Sequence, residues 1–150
     1  MATGSKDTDI SEEALIDFAL EFGAQAHYDV AMVVHKMFES AWSYIPRRGW
    51  RVLEDGRCHS DEAAILKIKD LLSRVVHQAF LERARYWRNQ SDESFASFAS
   101  FTNIEPPMQS VRAATATRNA DKAREIAAQL LNATYKNHII EECMIFFLCI

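Results

Sequence analysis

Apolar positions recur at helical spacing along most of this chain, and one short stretch breaks the pattern. Ile10, Ala14, Leu15, Phe18 and Phe22 return every three or four residues, which predicts a first helix with that face inward. Asp9 with Glu12 reads as a capping pair at its start, and Gly23 stops its last turn. The stripe Val30, Val33, Val34, Met37, Phe38 and Ala41 predicts a second helix from about His27 to Ser40. Then the texture changes. Trp42 to Ile45 is aromatic and β-branched, Pro46-Arg47-Arg48-Gly49 reads as a turn, and Trp50 to Leu53 reads as a strand. Asp55-Gly56 is a strong two-residue hairpin signal, so Arg57-Cys58-His59 is the expected return strand of a small hairpin or meander.

The helical period resumes after Ser60-Asp61, which caps the next element. A long helix is expected from about Glu62 to Asn89, free of interior Gly and Pro. Its core stripe is Ile65, Ile68, Leu72, Val75, Val76, Ala79, Phe80 and Tyr86. Ser91 to Phe101 repeats Ser-Phe-Ala with period three, which fits a short helix bearing Phe95, Phe98 and Phe101 on one side, or a packed loop. Pro106-Pro107 ends it. A short helix over Met108–Thr117 follows, then another from Asn119 or Ala120 to Leu131 with Ile126, Leu130 and Leu131 inward. A last helix is expected from Ala133 to Ile150, and its apolar end from Met144 to Ile150 calls for a covering surface. The expected fold is therefore mainly α. It is a helical domain over residues 10–150, with one small β-hairpin inserted between the second and third helices. Residues 1–9 are expected to be disordered.

Composition changes this picture little. Of the 150 residues, 49% are hydrophobic and 25% charged, ordinary values for a chain with a real core. The net charge of -4 gives no global attraction for nucleic acid, but the charge is uneven. Asp9, Glu12, Glu13, Asp17, Glu21, Asp29 and Glu39 face only Lys36 in the first helices, whereas the span from Arg47 to Arg88 is mildly basic. Three cysteines without metal spacing, and an N-terminus without an apolar targeting core, suggest an intracellular, reducing setting rather than secretion. The apolar tail is too short to span a bilayer.

Candidate chemistry is sparse. No G-x-x-x-x-G-K-[ST] loop exists, and no paired acids sit at strand ends to hold two divalent ions. His27, His35, His59, His77 and His138 are scattered, so no metal or cofactor is expected. Glu54-Asp55 belongs to turn geometry. The sharpest signal is a mixture of arginine and aromatic residues. Arg47, Arg48, Trp50, Arg51 and Arg57 cluster on the hairpin; Arg83, Arg85, Tyr86, Trp87 and Arg88 cluster on the long helix. Arginine makes salt-dependent phosphate contacts, and an aromatic ring offers a stacking face. The same arginines are also candidates for solvated positions or pairs with Glu54, Asp55 and Glu82, and Trp50 and Trp87 for core positions.

Several segments carry a family resemblance. Tyr28-Asp29-Val30-Ala31 opens a helix; Trp42-Ser43-Tyr44-Ile45-Pro46, Gly49-Trp50-Arg51-Val52 and Asp55-Gly56-Arg57 form the hairpin. Ile65-Leu66-Lys67-Ile68-Lys69, Leu71-Leu72-Ser73 and Phe80-Leu81-Glu82-Arg83-Ala84 follow, and then Leu131 to Lys136 and Glu141-Glu142-Cys143. This order resembles the helical region preceding the superfamily 3 ATPase in primase–helicases of poxviruses, giant viruses and phages, over about four fifths of the chain. Cys58 stands where that family's hairpin usually carries a second tryptophan. Met144 to Ile150 stand where it continues toward its ATP site, so the chain is expected to be a fragment of a larger protein, truncated before the ATPase. The resemblance implies a DNA-replication module that links primase and helicase and aids assembly or DNA guidance, without catalysis of its own. Full-length relatives are ATP-dependent helicases and primases. The implied partners are single-stranded or forked DNA and either a second copy or an ATPase domain. Arg47, Arg48, Trp50, Arg51, Arg83, Arg85 and Arg88 are the candidate nucleic-acid contacts. The alternative is a helical protein–protein interaction module with no replication role.

Overall fold

Helices account for most of this fold, and a three-stranded antiparallel sheet sits between the second and third of them. The computed structural model describes residues 10–22, 27–100 and 106–149. In chain order the elements are α1 (Glu12–Phe22), α2 (His27–Phe38), β1 (Trp42–Ile45), β2 (Gly49–Glu54), β3 (Arg57–Ser60), α3 (Asp61–Leu71), a π-helical segment (Leu72–Val76), α4 (His77–Ser100), α5 (Pro106–Gln129) and α6 (Ala133–Phe146). The anticipated small β element is thus a meander of order β1-β2-β3.

Local chemistry explains the turns. Asp55 and Gly56 both take positive φ, 51° and 76°, the type I′ geometry that matches the twist of adjoining strands. They hold the register Glu54↔Arg57 and Leu53↔Cys58. The three-residue turn after Ile45 needs positive φ at Arg47, 70°, and at Gly49, 86°. It sets Ile45↔Gly49 and Tyr44↔Trp50 opposite one another.

Helix α1 presents a different face from the one its spacing suggests. Leu15, Ile16, Ala19 and Leu20 are buried, while Ile10 and Phe18 are exposed. The sequence is apolar on more than one side here, so the neighbouring helices choose the face. Its start is capped by Ser11, whose Oγ accepts from the Ala14 N–H at 3.1 Å. The anticipated cap Asp9 and stop Gly23 lie outside the described residues. In α2 the expected stripe holds: Val30, Val33 and Val34 are buried, with Met37 and Phe38 packed against them.

The long helix is continuous through α3, the π segment and α4, and it extends past Asn89 to Ser100, taking in the described part of the Ser-Phe-Ala repeat. Phe101 lies outside the described residues. Ile68, Leu72, Val76 and Phe80 line the core side, but Tyr86 faces out. Pro106 occupies the first position of α5, where its missing N–H costs nothing. The expected break near Thr117–Asn119 does not occur, because no Gly or Pro interrupts this alanine-rich stretch. Ile126 and Leu130 point inward, whereas Leu131 lies beyond the helix and is exposed.

Helices α4 and α5 pack on small side chains. Ala113, Ala116, Ala120, Ala123 and Ala127 are buried at alternating spacings of three and four, a coiled-coil seam made of alanine. Two contacts fix the pairing as antiparallel: His77 Nδ1 donates to the Ala127 carbonyl at 2.7 Å, and the Ser91 and Thr117 hydroxyls meet at 2.7 Å. Asn132 caps α6 by accepting from the Tyr135 N–H at 3.0 Å. The helix ends at Phe146 and does not run on through the apolar tail as expected, because Phe147 to Cys149 pair their backbone beside β1 instead. The Tyr44 N–H donates to the Phe147 carbonyl, and the Cys149 N–H to the Tyr44 carbonyl, each at 2.8 Å. Part of the apolar tail thus finds its cover within the chain, with Phe147 buried, although Ile145 stays 72% exposed.

Candidate nucleic-acid interface

The two arginine clusters of the sequence occupy separate places. On the sheet, the tryptophans are committed to packing. Trp42 stacks on Phe38 at 4.3 Å with an interplanar angle of 3°, and Trp50 meets Trp42 edge-on at 6.4 Å. Phe147 lies 5.4 Å from Trp42 and 5.7 Å from Trp50. At 2% exposure, Trp50 has no free face for a base, so of its two anticipated roles it takes packing. Arg51 is half-buried, and its Nε lacks a partner among the described residues. Arg47 and Arg48 are exposed on the first turn. They border an open hollow of about 530 Å³ with an apolar floor of Tyr44, Ile65, Ile140 and Met144, and Asp61 and Glu62 also line it. Both signs of charge therefore rim this hollow. Arg57 is exposed on β3.

On α4 the cluster divides by helix face. Arg83 faces α1, where its Nε and Nη2 donate to the two carboxylate oxygens of Asp17 at 2.8 and 2.5 Å. Trp87 Nε1 donates to the same carboxylate at 2.8 Å. The guanidinium also lies 4.0 Å from the Tyr86 ring centroid. The bond with Asp17 raises the Arg83 pKa, and burial opposes that rise. Arg83 and Trp87 thus fasten α4 to α1. The pairings weighed from sequence differ from those formed: Glu54 binds Lys67 at 2.6 Å, and Glu82 accepts from Gln78 at 3.4 Å.

Arg85 and Arg88 turn the other way and make no ion pair among the described residues. With Leu81 and Ala84 they line a hollow of about 210 Å³, and its opposite wall is Arg124 of α5. Sequence reading missed Arg124, which lies far along the chain. The signal for it is the antiparallel α4–α5 register, which needs α5 to be recognised as one helix. Arg124 Nη2 also touches Asp121 Oδ1 at 3.1 Å, a well-exposed pair one helical turn apart and of little energetic weight.

The hollow at Arg47 borders the start of the long helix, and the hollow at Arg85 lies along its second half. Ile65 lines the first and Arg85 the second, so about 30 Å of helix separates them at 1.5 Å per residue. No group of three or more His, Cys, Asp or Glu placed to hold a metal occurs among the described residues. None of the described helices is long and apolar enough to cross a membrane. Compared with known protein families, curated proteins and solved structures, the chain finds no match.

Proposed function

We propose that this chain is a DNA-replication-associated helical module, akin to the pre-ATPase region of viral-type primase–helicases, that guides a nucleic-acid strand along its long helix and has no catalytic role of its own. The observation that carries this reading is the fate of the arginines. Arg47 and Arg48, on the turn between β1 and β2, and Arg85 and Arg88, on α4, are exposed and unpaired among the described residues, and the hollows they border are lined by Ile65 and Arg85, about 30 Å apart along the long helix. That spacing suits a strand running over several nucleotides, the usual range of single-strand sites. Further support is the order of helix, tryptophan hairpin with an Asp-Gly turn, long helix and helical pair.

Single-stranded oligonucleotide binding, followed by fluorescence anisotropy across a salt series, tests the reading. Binding at low salt that weakens steeply as salt rises is expected, and changing the four arginines to alanine should abolish it. Absence of binding at low salt defeats the nucleic-acid part. Partner docking is the second reading, favoured by the exposed apolar residues Ile10, Tyr28, Ile145 and Leu148.

A further inference from the structure

The α4–α5 hollow has a specific architecture: three arginines from two helices line it together with apolar Leu81 and Ala84. We infer that Arg85, Arg88 and Arg124 form a seat for one nucleotide of a single strand, with the phosphate held by arginine and the base laid on Leu81 and Ala84. The inference rests on the strand-binding reading and adds Arg124, which that reading does not require.

Three features support it. The alanine seam brings α4 and α5 close enough for residues on both to wall one hollow, so the arginines converge without a loop. The helix backbones hold the three positions, so less ordering is needed on binding than for arginines on a loop. The floor is apolar and the hollow, at about 210 Å³, is smaller than the usual range of whole-ligand pockets. One base fits such a space better than an intact cofactor. Planar guanidinium groups serve both parts of a nucleotide, since they clamp phosphate in a fork and stack on base faces. A base must leave its stack to reach the floor, which favours a single strand over a duplex. An acidic peptide would meet the same positive charge, but its carboxylates make no use of the floor.

The Arg124–Asp121 contact does not block the seat. Both side chains are more than half exposed, 54% and 62%, so the pair exchanges readily with water and phosphate.

The test uses the full chain and an oligothymidylate of about a dozen nucleotides, a length within single-strand site sizes. Arg124→Gln is compared with Arg112→Gln, an exposed arginine of the same helix that lines a different hollow with Trp87. Arg124→Gln should weaken binding about tenfold, the scale of one charged hydrogen bond, and reduce the salt slope by about 0.7. Arg112→Gln should change both much less. An abasic strand of equal length should bind the wild-type chain more weakly, and Arg124→Gln should narrow that gap. Equal effects of the two substitutions overturn the seat while leaving strand binding intact. Equal affinity for abasic and normal strands overturns the base contact. Tighter, Arg124-dependent binding of polyglutamate than of oligothymidylate reassigns the hollow to acidic peptides. Failure of the wild-type chain to bind any strand at low salt removes the strand-binding reading and this seat with it.

Discussion

The sheet end and the α4–α5 hairpin reach tight packing by opposite means. At the sheet, bulk fills space: Phe38, Trp42, Trp50 and Phe147 pack ring against ring around a small meander. In the hairpin, smallness closes space: five alanines let two long helices lie together with little between them. The consequence for function follows directly. Aromatic packing consumes Trp50, which sequence offered as a stacking platform. Alanine packing leaves the polar positions flanking the seam free, and it draws Arg85, Arg88 and Arg124 around one hollow.

Two substitutions, a thiol labelling and a pH titration sharpen this contrast. The largest effect is expected from emptying the sheet end. Phe147→Ala removes a 5%-exposed ring lying against both tryptophans and His35, and should cost about 3 kcal/mol or more of unfolding free energy by urea titration. A loss below about 1 kcal/mol would show that the tail contributes little to this core.

Next comes filling the hairpin. Ala123→Leu adds bulk where the side chain is fully buried, and should destabilise by about 1–3 kcal/mol. Unchanged stability would mean that the seam has slack, and the close approach argued for Arg124 would lose its basis. The same substitution should weaken strand binding by more than its effect on stability explains.

The smallest effect at neutral pH concerns the cysteines, all of which lie outside the α4–α5 pair. Cys58 and Cys149 are exposed, whereas Cys143 is buried and burial pushes its thiol up to about 12, with Glu142 adding to the rise. A thiol reagent at about pH 8 should label two of the three in the folded chain and the third only after unfolding. Tyr135, also buried, is raised to about 12, first by desolvation and then by Glu125. In the unfolded chain these groups release protons near 9.0 and 10.0, while the folded chain retains them. Their contribution is therefore fully present below pH 9 and falls as pH climbs toward 12. Urea midpoints measured from pH 8 upward should decline above 9; a flat profile up to about 11 would contradict the burial of both groups.

Much of the fold is legible from local pattern. The Asp55-Gly56 turn, the three short strands, the α2 stripe and the absence of Gly and Pro in the long helix each follow from short-range sterics or period. The errors have a common origin. The α1 face, the exposure of Tyr86 and Leu131, and the unity of α5 depend on which neighbour an element meets, and period alone does not name the neighbour.

The candidate site divides along the same line. Sequence by itself determined that arginine and aromatic residues crowd the hairpin and the long helix, because residue types and their spacing are local facts. Only the tertiary structure decided their fates. Asp17, on α1, ties Arg83 and Trp87 into the contact between two helices. Phe147, from the tail, closes over Trp50. Arg124, distant along the chain, completes the wall opposite Arg85 and Arg88. Each of these outcomes joins residues far apart in sequence through helix packing, and such contacts leave no mark on the local period from which the elements are read.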